Sequence, residues 1–406
     1  MALKYLYVPS AYKAETAYGV LPNDSAADFG DFARGSSAHR VNKDGLLEEM
    51  GSNIPRIDYS DGGCPSLLLE PERRNYCRYT EDLANWNPNP SSSAVTITQN
   101  ALIAPDGNKT ADIISVSDIA DGVYSKTLQS VAGTSYSTSM YLKHVSGSAE
   151  VRLGITTNLH SGSGEKYIVI DLSNGSIVSD TIGSLAVKKV VSVGNGWYRA
   201  SLEGSVASHS GNSAISIYSG TSEPTEFSAW GGQVEIGEYT TSYIKNLDNT
   251  EFVTRSADSS YFTGELQSYM DTSEGVFEVK AKALSNGGSA SKRISFSDIS
   301  GNNRVSIVYS TTSDYLVLIL KADGSDVISS SILTSFAQDE TNTVKVKWKS
   351  GDIQVKVNGT VIYSNSSTFS LGDLKRISMS IAGNALDNRF EGHIYHIKVY
   401  DSIDDF

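Results

Sequence analysis

The sequence predicts an all-β protein, an irregular N-terminal arm followed by two antiparallel β-sandwich domains of the jelly-roll kind. Three observations predict it. From Ala94 onward apolar and polar residues alternate in runs of about five to nine, the length of ordinary strands. Gly, Asn, Asp and Ser separate the runs at short intervals, as in Ser173-Asn174-Gly175-Ser176 and Gly194-Asn195-Gly196. No amphipathic pattern persists beyond about three helical turns. A modest apolar content of 39%, with much Ser, Thr and Gly, suits sheets that keep one wetted face.

Residues 1–84 have few regular periods. Gly30, Gly35 and Gly45 sit at turn positions with Phe29 and Phe32 as isolated anchors. The stretch 53–86 is too irregular for a domain and too apolar for a linker. Pro55, Gly62, Gly63, Pro65 and Pro71 punctuate it, while Ile54, Ile57, Leu67, Leu68 and Leu69 need burial. An extended arm buries such residues only against another chain or against the domain that follows, so 1–84 reads as an attachment and oligomerisation arm. Strand runs from AVTITQNALI to FSAWGGQVEI make 85–245 the first sandwich. A polar bridge with a few aromatic anchors fills 246–265. Runs from GVFEVKAKAL to HIYHIKVYD make 266–406 the second sandwich. The blocks share no fixed period, so the chain is not a repeat protein.

The formal charge of −13 opposes nucleic-acid and anionic-membrane binding and leaves neutral sugars as ligands. The start MALKYLYVPSAYKAETAYG is not basic-then-apolar, and no apolar run reaches the roughly 18 residues of a membrane span. The expectation is therefore a chain made in a cytoplasm, with Cys64 and Cys77 as reduced, partly buried thiols.

The search for chemistry gives no catalytic set. Glu235 and Glu238 are three apart, so a straight strand sends them to opposite faces; they read as exposed charges flanking a turn. Glu278 alternates with Lys280 and Lys282 as a solvated face, and His393 and His396 alternate away from each other. No cofactor or metal is expected; the acidic turns Asp118/Asp121 and Asp323/Asp326 are the places a structural calcium would use. Sugar recognition needs accessible aromatic rings beside polar donors. Trp197, Trp230 and Trp348 read as core, and Trp86 as packing the arm on the sandwich. Tyr124, Tyr218 and Tyr309, at strand edges or loops, are the sugar-stacking candidates.

Several phrases carry a resemblance. Pro55-Arg56-Ile57-Asp58-Tyr59, Leu67-Leu68-Leu69-Glu70-Pro71 and Tyr79-Thr80-Glu81-Asp82 with Trp86 follow one another. RGSSAHRVNKDGLLEE precedes them, and WGGQVEIGEYTTSYI and VTRSADSSYF follow. Together they resemble the N-terminal part of bacteriophage head-fibre and tail-fibre subunits, with Arg74-Asn75-Tyr76 and Lys245 as departures from the pattern. The phrases KVKWKSGDIQVKVNGTVIYSN and FEGHIYHIKVYDS look like strands of a laminin-G or concanavalin-like sandwich, and the first block looks like a carbohydrate-binding module. The resemblance implies a virion protein, a homotrimer attached to capsid or tail proteins, here with Pro55, Arg56, Tyr59, Leu67, Leu68 and Leu69 in the contact. It also implies adhesion to host surface polysaccharide, with the head favoured over the tail because no long shaft is present, and the missing catalytic set adds the expectation of no enzymatic activity. A polysaccharide depolymerase or lyase and a purely architectural decoration are the alternative readings.

Overall fold

The computed structural model describes the chain apart from residues 1–2, 10–11, 14–15, 20–26, 29–30, 63, 90–94, 127, 161–163, 264–272, 335 and 381–388. The described residues form antiparallel β-sheets joined by turns and a few 3-10 turns, as the alternation predicts. They divide into two compact units, neither continuous in sequence. One holds Met1–Ser37, Met50–Pro71 and Ser256–Phe406; the other holds Ala38–Glu49 and Glu72–Arg255.

The second unit contains the first sandwich, two six-stranded sheets. In one, Ser135–Gly147 lies between Thr225–Ile236 and Trp197–Val206. Its inward residues, among them Met140, Leu142, Ala200 and Phe227, meet Val151, Leu153, Ile168 and Ile217 of the other sheet in one core. Trp86 joins this core, 2% exposed, and its Nε1 donates to the carbonyls of Arg78 and Tyr79. The outer face of the same sheet is also covered. Tyr141, Trp197 and Trp230 pack there with Tyr243, whose ring lies 4.6 Å from that of Trp230. Tyr243 is held from below, its hydroxyl 2.6 Å from Thr80 Oγ1 and donating to Glu81 at 3.0 Å.

The first unit contains the second sandwich, an eight-stranded sheet facing a seven-stranded one. Phe277, Phe296, Trp348 and Ile397 are among the residues that fill the space between them.

The expected boundaries at 84, 245 and 265 do not coincide with these units. Leu3–Tyr7 pairs with the closing strand Gly392–Tyr400, and so does Ser66–Leu69, which also pairs with Arg56–Asp58. Strand addition satisfies the backbone of the irregular segment and buries its apolar side chains inside the same chain. Leu67, Leu68 and Leu69 are at most 4% exposed, Pro55 and Arg56 are buried, and Tyr59 packs half-buried on the core. These residues, expected to contact another protein, are part of this unit's own interior. The two cysteines are free, Cys77 buried as expected and Cys64 exposed, against the expectation of partial burial.

Candidate functional site

A polar surface with aromatic walls lies on the outer face of the sheet formed by Asn87–Asn89, Gly122–Tyr124, Ile215–Ser219, Glu150–Ile155, Lys166–Asp171 and Ser176–Asp180. Alternation builds it. Val151, Leu153, Ile155, Ile168 and Ile170 point into the core, so Arg152, Gly154 and Tyr167 point out. Register then aligns two rows. Asn87, Tyr124, Ser216, Gly154 and Tyr167 lie across five strands, and Gly122, Tyr218 and Arg152 lie beside them.

Tyr218 is the floor, 8% exposed, and Tyr124 and Tyr167 are half-exposed walls. The Arg152 guanidinium lies 4.6 Å from the Tyr167 ring centroid. Among the described residues the Arg152 side chain has no hydrogen-bond or ion-pair partner, and its buried Nε is unsatisfied. Glu165 accepts a hydrogen bond from Ser216 Oγ across Gly154. A Cβ at Gly154 would stand 2.5 Å from that Oγ and 2.9 Å from Glu165 Oε1, so glycine is required for this close approach. Lys126 Nζ donates to Asn87 Oδ1 at 3.1 Å. Burial pushes the Glu165 pKa up, against the Ser216 hydrogen bond and the Arg152 charge. Burial also raises the Tyr218 hydroxyl, with Glu165 and Tyr124 adding to it. The face thus offers flat rings, a guanidinium without an acceptor and a carboxylate held by one hydroxyl, the groups that hydrogen-bond and stack on a sugar.

Two of the three tyrosine candidates meet here. Tyr309 does not: it is fully buried in the other sandwich with its ring 5.2 Å from Phe390, because its strand sends it inward with Val305 and Ile307. The sequence reading missed Arg152, Glu165 and Tyr167, although AEVRLGIT and KYIVIDL carry the alternation that turns Arg152 and Tyr167 outward.

Other expectations also change. Glu235 is no exposed turn charge. It is fully buried, accepting from Gln233 Nε2 at 2.7 Å and from the Thr241 amide at 2.9 Å, while Glu238 is exposed. His393 and His396 share the outer face of their strand, since a bulge shifts the register between Lys280 and Ala281. They serve different partners: His393 Nδ1 lies 2.8 Å from Ser66 Oγ, and His396 Nε2 2.7 Å from Glu278. Glu278 is not an open, solvated charge. Its carboxylate is 5% exposed and also meets Lys345 at 2.9 Å and Lys398 at 3.0 Å. Burial would raise its pKa, but the bonds from His396, Lys345 and Lys398 prevail and bring it down to about 2. Among the described residues no group of three or more His, Cys, Asp or Glu is placed to hold a metal ion. Asp118 accepts from the Ile119 amide, Asp121 is buried, Asp323 lies 3.4 Å from Asn303 Nδ2, and Asp326 pairs with Lys321. No helix among the described residues is long and apolar enough to cross a membrane.

No protein-family model and no curated protein matches the chain. Solved structures do, at low similarity. The apo Crh5 transglycosylase is 11% identical, with a TM-score of 0.26 over 36% of this chain and 67% of that one. The CBM22-1 and GH10 modules of Clostridium thermocellum xylanase 10B, complexed with xylohexaose, are 16% identical, with a TM-score of 0.27 over 44% of this chain and 30% of that one. Mouse laminin α1 domains LG4-5 are 10% identical, with a TM-score of 0.24 over 70% of this chain and 86% of that one. The assignment of the site therefore rests on its own geometry, and the fold class on the antiparallel sheets themselves.

Proposed function

We propose that the chain is a glycan-binding subunit of a bacteriophage appendage, a head fibre in preference to a tail fibre, which holds host surface polysaccharide on the outer sheet face lined by Tyr124, Arg152, Glu165 and Tyr167. The observation that carries the binding reading is Arg152, stacked on Tyr167 without an acceptor of its own beside a carboxylate and a tyrosine floor. A planar guanidinium and a carboxylate side by side suit vicinal sugar hydroxyls, which donate to one and accept from the other. The virion reading rests on the phrases around Arg56, Glu70, Glu81 and Asp258. Weak contacts of this kind become adhesion when several copies act together, which fits a homotrimer.

The test is glycan-array and cell binding by the full chain, compared with Tyr167→Ala and Arg152→Ala. Saturable binding competed by soluble polysaccharide, and weakened at least tenfold in both variants with their melting temperatures kept, supports the reading. Binding that both variants retain removes this face from it, and release of reducing ends or unsaturated sugars would replace adhesion with depolymerisation.

A further inference from the structure

The other sandwich carries a second polar face with a different chemistry. In the seven-stranded sheet the strands Arg376–Ser378, Lys292–Ser297, Arg304–Tyr309 and Tyr315–Ala322 lie side by side. Ile294, Phe296, Val305 and Ile307 point into the core, which turns Arg293, Ser295, Ser297, Arg304 and Ser306 outward. Register aligns Arg376, Ser297, Arg304 and Lys321 in one row and Ser378, Ser295 and Ser306 in the next. Arg293 follows on the same strand.

Two of these groups, Arg293 and Ser297, are buried and under-satisfied among the described residues. Arg293 is 8% exposed, and among the described residues its side chain has neither a hydrogen bond nor an ion pair. Ser297 Oγ, fully buried, also lacks a partner. Among the described residues the Arg304 side chain donates only to the Gly301 carbonyl, at 3.3 Å. Asp298 and Asp326, whose charges reach Arg304, are engaged: Asp298 accepts from Asn303 and Ser300, and Asp326 pairs with Lys321. Burial and the Arg304 charge push the Arg293 pKa down to about 10, so the guanidinium is still charged at neutral pH. A buried, charged, unpaired arginine beside another cation is costly in a fold that needs neither.

We propose that this face binds an oxyanion, the carboxylate, sulfate or phosphate of an acidic glycan, with Arg293 as its main ligand and Arg304 and Ser297 beside it. Arginine presents two parallel N–H donors that match such a group. The ligand supplies the acceptor and the negative charge that the described residues do not bring to Arg293.

The experiment is thermal unfolding and titration of the full chain with oligogalacturonate, dextran sulfate and inorganic phosphate, against chloride at equal ionic strength. One oxyanion is expected to raise the melting temperature beyond chloride, and which probe does so names the source of the group. Arg293→Met should bind it at least tenfold more weakly and, without ligand, melt no lower than the parent; Arg304→Gln should weaken it less. The proposal falls if no oxyanion acts beyond chloride, if Arg293→Met binds as well as the parent, or if that variant melts lower without ligand. Tyr167→Ala, in the other sandwich, should leave this binding unchanged, so the two sites fail independently.

Discussion

Arg56 and Arg293 lie in the same unit and are both buried, yet their surroundings are opposite. Arg56, fully buried, reaches Glu70 Oε2 at 2.6 Å and Asp258 Oδ2, while Asp258 Oδ1 receives Arg34 at 3.2 Å. Burial alone would lower the Arg56 pKa; Asp258 and Glu70 outweigh it and raise it. Backbone groups complete the cluster. Glu70 donates its amide to Asp258 Oδ2, the Asp258 amide donates to the Glu70 carbonyl, and Arg34 donates to the Gly51 carbonyl. Around Arg293 no such provision exists among the described residues. A closed set of charges fixes the course of the chain, whereas an open one invites a ligand, and the number of partners separates them where burial does not.

Four experiments sharpen or break that contrast. The largest effect belongs to Asp258→Ala, which leaves two buried guanidinium groups short of a carboxylate. We expect a loss of about 3–5 kcal/mol in denaturant unfolding of the first unit. Arg56→Met follows: it strands Glu70 and should lower the melting temperature, opposite to Arg293→Met, and equal signs for the two would erase the distinction. Glu278 is the intermediate case, closed by Lys345, Lys398 and His396 near a surface. Its folded pKa of about 2 lies below the ordinary 4.5, so its stabilisation is present above pH 4.5 and is lost as pH falls towards 2. Glu278→Gln should flatten that acid limb in a pH series of melting temperatures and cost on the order of 1 kcal/mol at neutral pH once solvent screening is counted. The smallest effect on stability is expected for Gly154→Ala, whose Cβ displaces the Ser216 hydroxyl and the Glu165 carboxylate. Calorimetry should show glycan binding weakened severalfold while the melting temperature moves by only a few degrees.

Much of the fold was legible in the chain. Trp197, Trp230 and Trp348 read as core, and the structure buries all three. The irregular segment was recognised as needing burial, but its partner strand Gly392–Tyr400 lies more than three hundred residues away in sequence, as the Ser66 to His393 bond shows. No local pattern encodes such a pairing. The same limit explains the tyrosines. Period-two alternation fixes which residues share a face, but Tyr309 sits on an inward position whose sense depends on the sheet packed beneath it.

The sequence by itself determined the strands, their turns and the apolar faces, because these follow from neighbours two residues apart. Tertiary structure alone decided which ionisable groups meet. Arg34, Arg56, Glu70 and Asp258 come from three separate segments and become one cluster only when strand pairing removes water from all of them at once. Arg152 and Arg293 become notable for the reverse reason, since the fold carries their charge to a sheet face and, among the described residues, forms no ion pair with it. Charge pairing depends on distance and local dielectric, and both are properties of the folded chain.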